Sequence, residues 1–418
     1  MPPIDVDAIT RLMAEGEQRR AAMEPDIPFT REEYAARLTR LRAAMAEDGI
    51  QTVILSSPES MCWLHGLALR WYKSGSPTQW RPLTTCAVNV DSDKIIAFEG
   101  YEHAEMMRQN SVVEDLRLLP RYERASMLDF IVRELAQEGW LQGTVGLEKF
   151  SYVPNPTVSG ELEAALTAPG GTVVDATGPI RRVRRLKSPA EIAYVEKAAA
   201  ICDAGILHLQ QVLAPGMTEV EAWAEMVLGM ARAGGERAAL HEMVAISTPA
   251  GGLTHHVANR RVMQAGDWIE VDPCGVFNGY HANRNAWYYL GEPPPVAQDL
   301  MAFLGGAYDV ITRVGTVGTP VKELNRALRE YYQDAGVWHL NSQYWVGGYE
   351  LGISFPPDWV GEWLFTIADE DQDGVIEDGL VSNYESIIGL GLLDTIVYQT
   401  SGTRTLSTVP YEVLGVPC

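Results

Sequence analysis

Cysteine is scarce in this chain and poorly placed for cross-linking. The five residues, Cys62, Cys86, Cys202, Cys274 and Cys418, are odd in number, far apart and without a C-x-x-C pair. This argues against both a disulfide framework and a thiolate zinc site, and fits a reducing, cytoplasmic compartment. Long apolar runs are also missing, since no stretch of about 18 apolar residues occurs that could span a bilayer. The segment MPPIDVDAIT has neither a basic n-region nor an apolar h-region, so no secretory signal is expected. Positive charge is in deficit, with 33 Lys and Arg against 55 Asp and Glu and a net charge of -22. Such a balance repels polyanions and excludes nucleic acid as a partner. Short-period repeats and low-complexity tracts are absent as well.

What is present reads as two globular domains. The chain has 418 residues, of which 46% are hydrophobic and 21% charged; that length exceeds a typical single core. After a polar, helix-prone start, Thr30-Arg31-Glu32-Glu33 opens a capped helix that runs through Met45. Strands are predicted at Thr52 to Leu55, Thr85 to Val90, Lys94 to Phe98 and Thr144 to Leu147. Helical patterns near Tyr101 to Gln109 and Met127 to Glu138 alternate with them, making an α/β amino-terminal domain. At Ile180 the composition turns basic (IRRVRRLKSPAEI), and Ser188 is placed to cap a helix opened by Pro189 and Glu191. The boundary is set there, giving domains 1-180 and 181-418. The second domain reads as α+β, with helices at Ala190 to Leu213, Glu219 to Ala233, Pro295 to Val314 and Val321 to Ala335.

Three stretches carry candidate chemistry. Leu253 to Trp287 holds the pair His255 and His256, a strand from Trp268 to Val271 ending in Asp272, and a polar return through Tyr280, His281, Asn283 and Asn285. An apolar strand that delivers polar side chains to its end suits a catalytic cleft. CWLHGLALRWYKSGSPTQWRP, with Trp80 and Arg81, reads as a loop that either lies on the surface or reaches into a site. DEDQDG matches the first half of a calcium loop, but the twelfth position is Leu380 instead of Glu. It reads as an acidic surface turn.

RLKSPAEIAYVEKAAAICDAG, LAPGMTEVEA, GDWIEVDPCGVFNGY, VGGYELG and NYES occur in an order and spacing that resembles the pita-bread family of creatinase, prolidase and aminopeptidase P. The resemblance runs from about residue 30 to the end. It implies a small creatinase-like α/β domain followed by a pita-bread catalytic domain. The family's metallopeptidases hold two metal ions with two aspartates, a histidine and two glutamates. In this chain those positions fall on Asp272, Asn283, Tyr349, Glu385 and Leu393, so no metal and no other cofactor is expected.

The resemblance is closest to creatinase-like and ectoine hydrolase-like members, which work without metal. In these a histidine precedes an arginine, an apolar pair and Gly-Asp. His255 stands at that distance from Arg261, Val262, Met263, Gly266 and Asp267, although the intervening valine position is Ala258. His255 therefore takes the catalytic place, with His256 as its neighbour. Histidine can accept and return a proton near neutral pH. Glu385, with Asp272, would bind the nitrogen-rich end of the substrate. Creatinase's second binding glutamate falls on Asn285. Arg81, beside Trp80, would hold a carboxylate in the partner subunit's site of a homodimer. Tyr280, Asn283, Asn285, Tyr349 and Phe355 complete the expected substrate contacts, and Phe355 and Trp359 make the pocket aromatic. The implied function is metal-independent hydrolysis of a C-N bond (amidine, guanidine or cyclic amide) in a small zwitterion, with no membrane partner. Two alternatives stand beside it: a metal-dependent lyase or Xaa-Pro peptidase with rearranged ligands, and a binding protein without catalysis. Hydrolysis and elimination, and the choice between His255 and His256 as base, stay open.

Overall fold

The computed structural model describes residues 4–68, 83–120, 126–168, 171–249, 255–343 and 346–418, with 341–343 as backbone alone. The chain divides into two compact units, Met1–Ile180 and Arg181–Cys418.

The first unit begins with α1 (Val6–Ala21) and α2 (Arg31–Glu47), the latter capped by Thr30. β1 (Thr52–Leu55) then leads into α3 (Pro58–His65). The sequence reading missed α3 and took Cys62 to His65 as loop. Ser57 caps it, Pro58 occupies its first turn, and Gly66 ends it at φ 95°, a conformation glycine adopts without a Cβ penalty. β2 (Thr85–Asn89), β3 (Ile95–Gly100), α4 (Ala104–Asn110), β4 (Asp115–Leu119), α5 (Met127–Gln137), β5 (Thr144–Leu147), α6 (Pro156–Thr167) and β6 (Thr172–Asp175) follow. The strands form one sheet in the order β4-β3-β2-β1-β5-β6. β1 pairs antiparallel with β2 and parallel with β5. Phe98, Phe130, Leu135 and Leu147 fill the core between this sheet and its helices. Trp80 and Arg81 lie outside the described residues.

α7 (Thr177–Arg185) carries the basic run, and α8 (Pro189–Val212) starts at Ser188 with both halves of a capping box to Glu191. α9 (Glu219–Arg232), β7 (Met243–Ser247), β8 (Trp268–Asp272), β9 (Cys274–Phe277), β10 (Tyr280–Asn283) and β11 (Ala286–Leu290) come next. They are followed by α10 (Pro295–Val314), α11 (Val321–Asp334), β12 (Gly347–Tyr349), β13 (Leu364–Thr366), β14 (Leu380–Ile388), β15 (Leu390–Tyr398), β16 (Arg404–Thr405) and β17 (Leu414–Val416).

The strands make a β17-β11-β8-β7 sheet, a β13-β12-β14-β15-β16 sheet and a separate β9-β10 ribbon. One apolar core joins Cys202, Ile206 and Met226 of α8 and α9 to Ile269, Val271 and Tyr288. A second joins Leu304, Tyr308, Leu324 and Tyr332 of α10 and α11 to Tyr384, Leu392 and Ile396. The ribbon reaches α8 at Gly275, where a Cβ would lie 2.0 Å from the Ala198 carbonyl oxygen. Only glycine permits that approach. Among the described residues, no helix is long and apolar enough to cross a membrane.

Candidate functional site

β14 explains why the site sits where it does. Its residues alternate, so Ser382, Tyr384 and Ser386 share one face while Asn383 and Glu385 share the other. The first face joins the core, where Tyr332 bonds to Ser386 Oγ at 2.6 Å and to the Tyr384 hydroxyl at 3.1 Å. The second face meets Asp272 at the end of β8 and Asn283 at the end of β10 through a continuous chain of hydrogen bonds. Asn283 Nδ2 donates to Asp272 Oδ1 at 2.8 Å and to the Pro273 carbonyl at 3.2 Å, which fixes the orientation of its amide. Asn383 Nδ2 donates to Glu385 Oε1 at 3.2 Å and reaches Asn283 Oδ1 at 3.5 Å, while Asn383 Oδ1 accepts the Tyr349 N–H at 2.9 Å. The Tyr349 hydroxyl donates to Glu385 and accepts from Trp359 Nε1 at 3.3 Å.

Two carboxylates are thus buried in one hydrogen-bonded polar cluster. Burial pushes Asp272 up to about 6, against the pull of the Asn283 hydrogen bond. Glu385 is pushed up to about 7, first by burial and then by the charge of Asp272, against its bonds from Tyr349 and Asn383. Burial also holds the Tyr349 phenol well above its usual range, so it stays a proton donor. Groups whose surroundings displace them toward neutrality are positioned for proton transfer or for receiving a cation.

Of the expected residues, Asp272, Asn283, Tyr349 and Glu385 come together here. Asn383 and Trp359 join them, and Asn383 was not anticipated. Its signal was present, because it stands two residues before Glu385 on a strand and so shares its face. Phe355 is buried in the segment that carries Trp359.

Two further expected residues have buried partners of their own. Tyr280 is buried with its hydroxyl on Glu191 Oε1 at 2.8 Å and its ring edge against Tyr194. It anchors the ribbon to α8. Asn285 spends both ends of its amide on backbone, accepting the Leu393 N–H at 2.7 Å and donating to the Gly391 carbonyl at 2.9 Å. It buttresses β15. His281 is likewise structural, since Nε2 accepts the Ala239 N–H at 3.0 Å and Nδ1 lies 2.8 Å from the Gly279 carbonyl. That pattern requires the neutral Nδ1–H tautomer.

His255 and His256 are exposed, and no hydrogen bond joins either to the carboxylate pair. His255 adopts φ 49°, an uncommon conformation for a residue with a Cβ. The segment that follows is latched to the start of α9: buried Glu219 accepts the Asn259 N–H at 2.8 Å and pairs with Arg261 at 2.5 Å.

Five positions of the cluster bear on metal binding, and the side chains present do not fit a two-metal centre. Among Asp272, Asn283, Tyr349, Glu385 and Leu393 only two are anionic. Asn283 turns N–H toward Asp272, the opposite of what a cation between them would need. Leu393, the cross-strand partner of Glu385, is fully buried and apolar. Among the described residues, no group of three or more His, Cys, Asp or Glu is placed to hold a metal ion.

The sequence model of metallopeptidase family M24 matches residues 193–401, and that of the creatinase/prolidase N-terminal domain matches residues 37–186. The chain belongs to family M24. It is a hydrolase of that family. It is similar to the ectoine hydrolase of Halomonas elongata, with 24% identity over 94% of this chain and 99% of that protein. It resembles the probable dipeptidase PepE of Mycobacterium tuberculosis equally in identity, 24%, over 93% of this chain and 98% of that protein. The X-Pro aminopeptidase structure from Thermotoga maritima shares the fold at TM-score 0.72 and 19% identity, covering 91% of this chain and 99% of that one.

Proposed function

We propose that this M24 member hydrolyses a C-N bond of a small zwitterion carrying an amidinium-like group, without a metal ion. The observation that carries the reading is the buried Asp272–Glu385 pair, flanked by neutral donors and by Leu393 where a further ligand would stand. An amidinium presents two parallel N–H groups, which a carboxylate accepts in bidentate fashion. Its charge would replace the proton that the pair otherwise retains. Tyr349 and Trp359 give the cation an aromatic wall. The similarity to an ectoine hydrolase over the whole chain favours the same substrate class.

In the proposed step, a histidine takes a proton from water as the water oxygen bonds to the substrate carbon. The C-N bond breaks, and the proton passes to the departing nitrogen. His255 is assigned that task, with Glu385 and Asp272 as the carboxylates that hold the amidinium in place. Arg81 is assigned to the substrate carboxylate, across a homodimer. A thermal-shift screen with ectoine, creatine, betaines and Xaa-Pro dipeptides, followed by product detection, tests the reading. Stabilisation and turnover by the zwitterions support it, whereas cleavage of the dipeptides alone would sink it.

His255→Ala should lower turnover by about 10²- to 10⁴-fold, as loss of a general base does, with an unchanged melting temperature because the side chain is exposed. Unchanged turnover would remove His255 from the mechanism. A metal-dependent peptidase is the second reading, favoured by the dipeptidase relatives and the retained Asp272 and Glu385. Substoichiometric metal in the purified protein and activity that survives chelators are expected here. Stoichiometric manganese, iron or zinc, with activity lost on chelation, would establish the second reading instead.

A further inference from the structure

A second charged cluster is buried in the same unit, beside the site. Lys187 is 5% exposed and Glu350 7%. Lys187 Nζ donates to Glu350 Oε1 at 2.6 Å and to the Arg185 carbonyl at 2.8 Å. The other carboxylate oxygen accepts the backbone N–H groups of Glu362 at 3.2 Å and Trp363 at 3.4 Å. Two glycines make the room. A Cβ at Gly352 would lie 2.9 Å from Lys187 Cε, and one at Gly361 would lie 2.8 Å from Glu350 Cδ.

Stability alone is a weak reason for such a pair. Desolvating two charges costs about what their attraction returns, and apolar replacements of similar volume are often neutral or better. Its location supplies a reason. Glu350 directly follows Tyr349, and its backbone closes the same loop from both sides: Glu350 N–H donates to the Trp363 carbonyl at 2.7 Å, and Gly361 N–H donates to the Glu350 carbonyl at 2.8 Å. Trp359 rides on that loop. Its backbone is held by Asp358 Oδ1 at 2.7 Å and by Ser354 Oγ at 3.2 Å, and its indole N–H reaches the Tyr349 hydroxyl at 3.3 Å.

We propose that Lys187 and Glu350 are a positioning pair: they clasp the loop from Pro356 to Trp363 against Tyr349 and so fix the Tyr349–Trp359 wall that sets which substrates the site admits. The ion pair touches no reacting atom and acts through Glu350, whose carboxylate is the only side chain that accepts the Glu362 and Trp363 amides among the described residues. The role in substrate admission rests on the reading of Glu385 and Tyr349 as substrate contacts. The clasp itself does not.

The test uses the full-length protein in which both residues are replaced, Lys187→Met with Glu350→Met. This refills the volume with flexible apolar side chains and removes the acceptor for the two amides. Hydrogen exchange at Glu362 and Trp363 should accelerate at least about tenfold, while β14 and β15 keep their protection. With ectoine as probe, KM should rise about tenfold and kcat change less than about threefold, the signature of lost binding contacts. Should the double variant fail to fold, Glu350→Gln serves with the same readouts, because one amide oxygen cannot satisfy both Lys187 and the two N–H groups. Unchanged exchange in residues 356–363 would overturn the clasp. Freed amides with an unchanged KM would overturn the control of substrate admission. If the wild-type protein turns over none of the probes, the exchange result still decides the clasp, and only the functional reading of the site fails.

Discussion

Glu385→Gln is expected to reduce turnover by about 10³-fold or more while leaving the protein folded and, above pH 7, more stable than the wild type. Glutamine keeps the shape of the side chain. Its oxygen can accept from Asn383, whose amide orientation is set by the Tyr349 N–H. The Tyr349 hydroxyl then rotates to accept from the new amide, as hydroxyls can. What is lost is charge. An amide can neither hold the extra proton that Glu385 keeps to about pH 7 nor pair with an amidinium. Loss of a charged contact made throughout the reaction lowers kcat/KM, and loss of the group that orients the amidinium for attack lowers kcat. The measurement is both constants across pH 5 to 9, together with melting temperatures. Turnover within about tenfold of wild type would remove Glu385 from the machinery.

The second large effect is on stability. Asp272 and Glu385 hold their protons more tightly in the folded chain, at about 6 and about 7, than in the unfolded chain, where carboxyl groups titrate near 4. Between those limits the folded state binds more protons. The pair's contribution is therefore complete below about pH 4 and is lost as pH rises to about 7. Shifts of this size correspond to about 3 kcal/mol per group at most. Other carboxylates act in the opposite sense, since Asp115 and Glu138 are held low by Arg117 and Lys94. The clean readout is consequently the difference between wild type and the Asp272→Asn, Glu385→Gln double variant. Urea unfolding should show the variant gaining on wild type by several kcal/mol from pH 4 to 8, and a constant difference would contradict the buried, proton-holding pair. An amidinium ligand should bind more tightly as pH rises through the same window, because it displaces those protons.

Much of this architecture is legible from local rules. α10 begins and ends where Pro295 and Gly315 set its limits, and Ser188 with Glu191 announces α8. The order of the motifs grouped Asp272, Asn283, Tyr349 and Glu385; the first three each close a strand, whereas Glu385 lies inside β14 and reaches them through the alternation of that strand. Other polar positions are harder to read. Tyr280, His281 and Asn285 are polar residues in a strand-rich segment, and a linear pattern does not reveal whether such a side chain faces a cavity or a backbone amide. Each of the three bonds to a buried partner. α3 carried its signals in Ser57, Pro58 and Gly66, but the aromatic run around it masked them. Asn383 could have been found from strand alternation, whereas the clasp between Lys187 and Glu350 joins residues 163 positions apart and leaves no local trace.

The bond from the Leu393 N–H to Asn285 also bears on how such a site could change over generations. Acquiring the full set of metal ligands implied by the family resemblance would need carboxylates at both Asn283 and Leu393 and a histidine at Tyr349. Either carboxylate introduced first would add an anion to a cavity that already keeps its two acids partly protonated, before any cation could compensate. At Leu393 it would also place a charge at a fully buried position whose backbone Asn285 pins in place. The single-substitution intermediates lie in a valley of lowered stability, which separates the two residue sets.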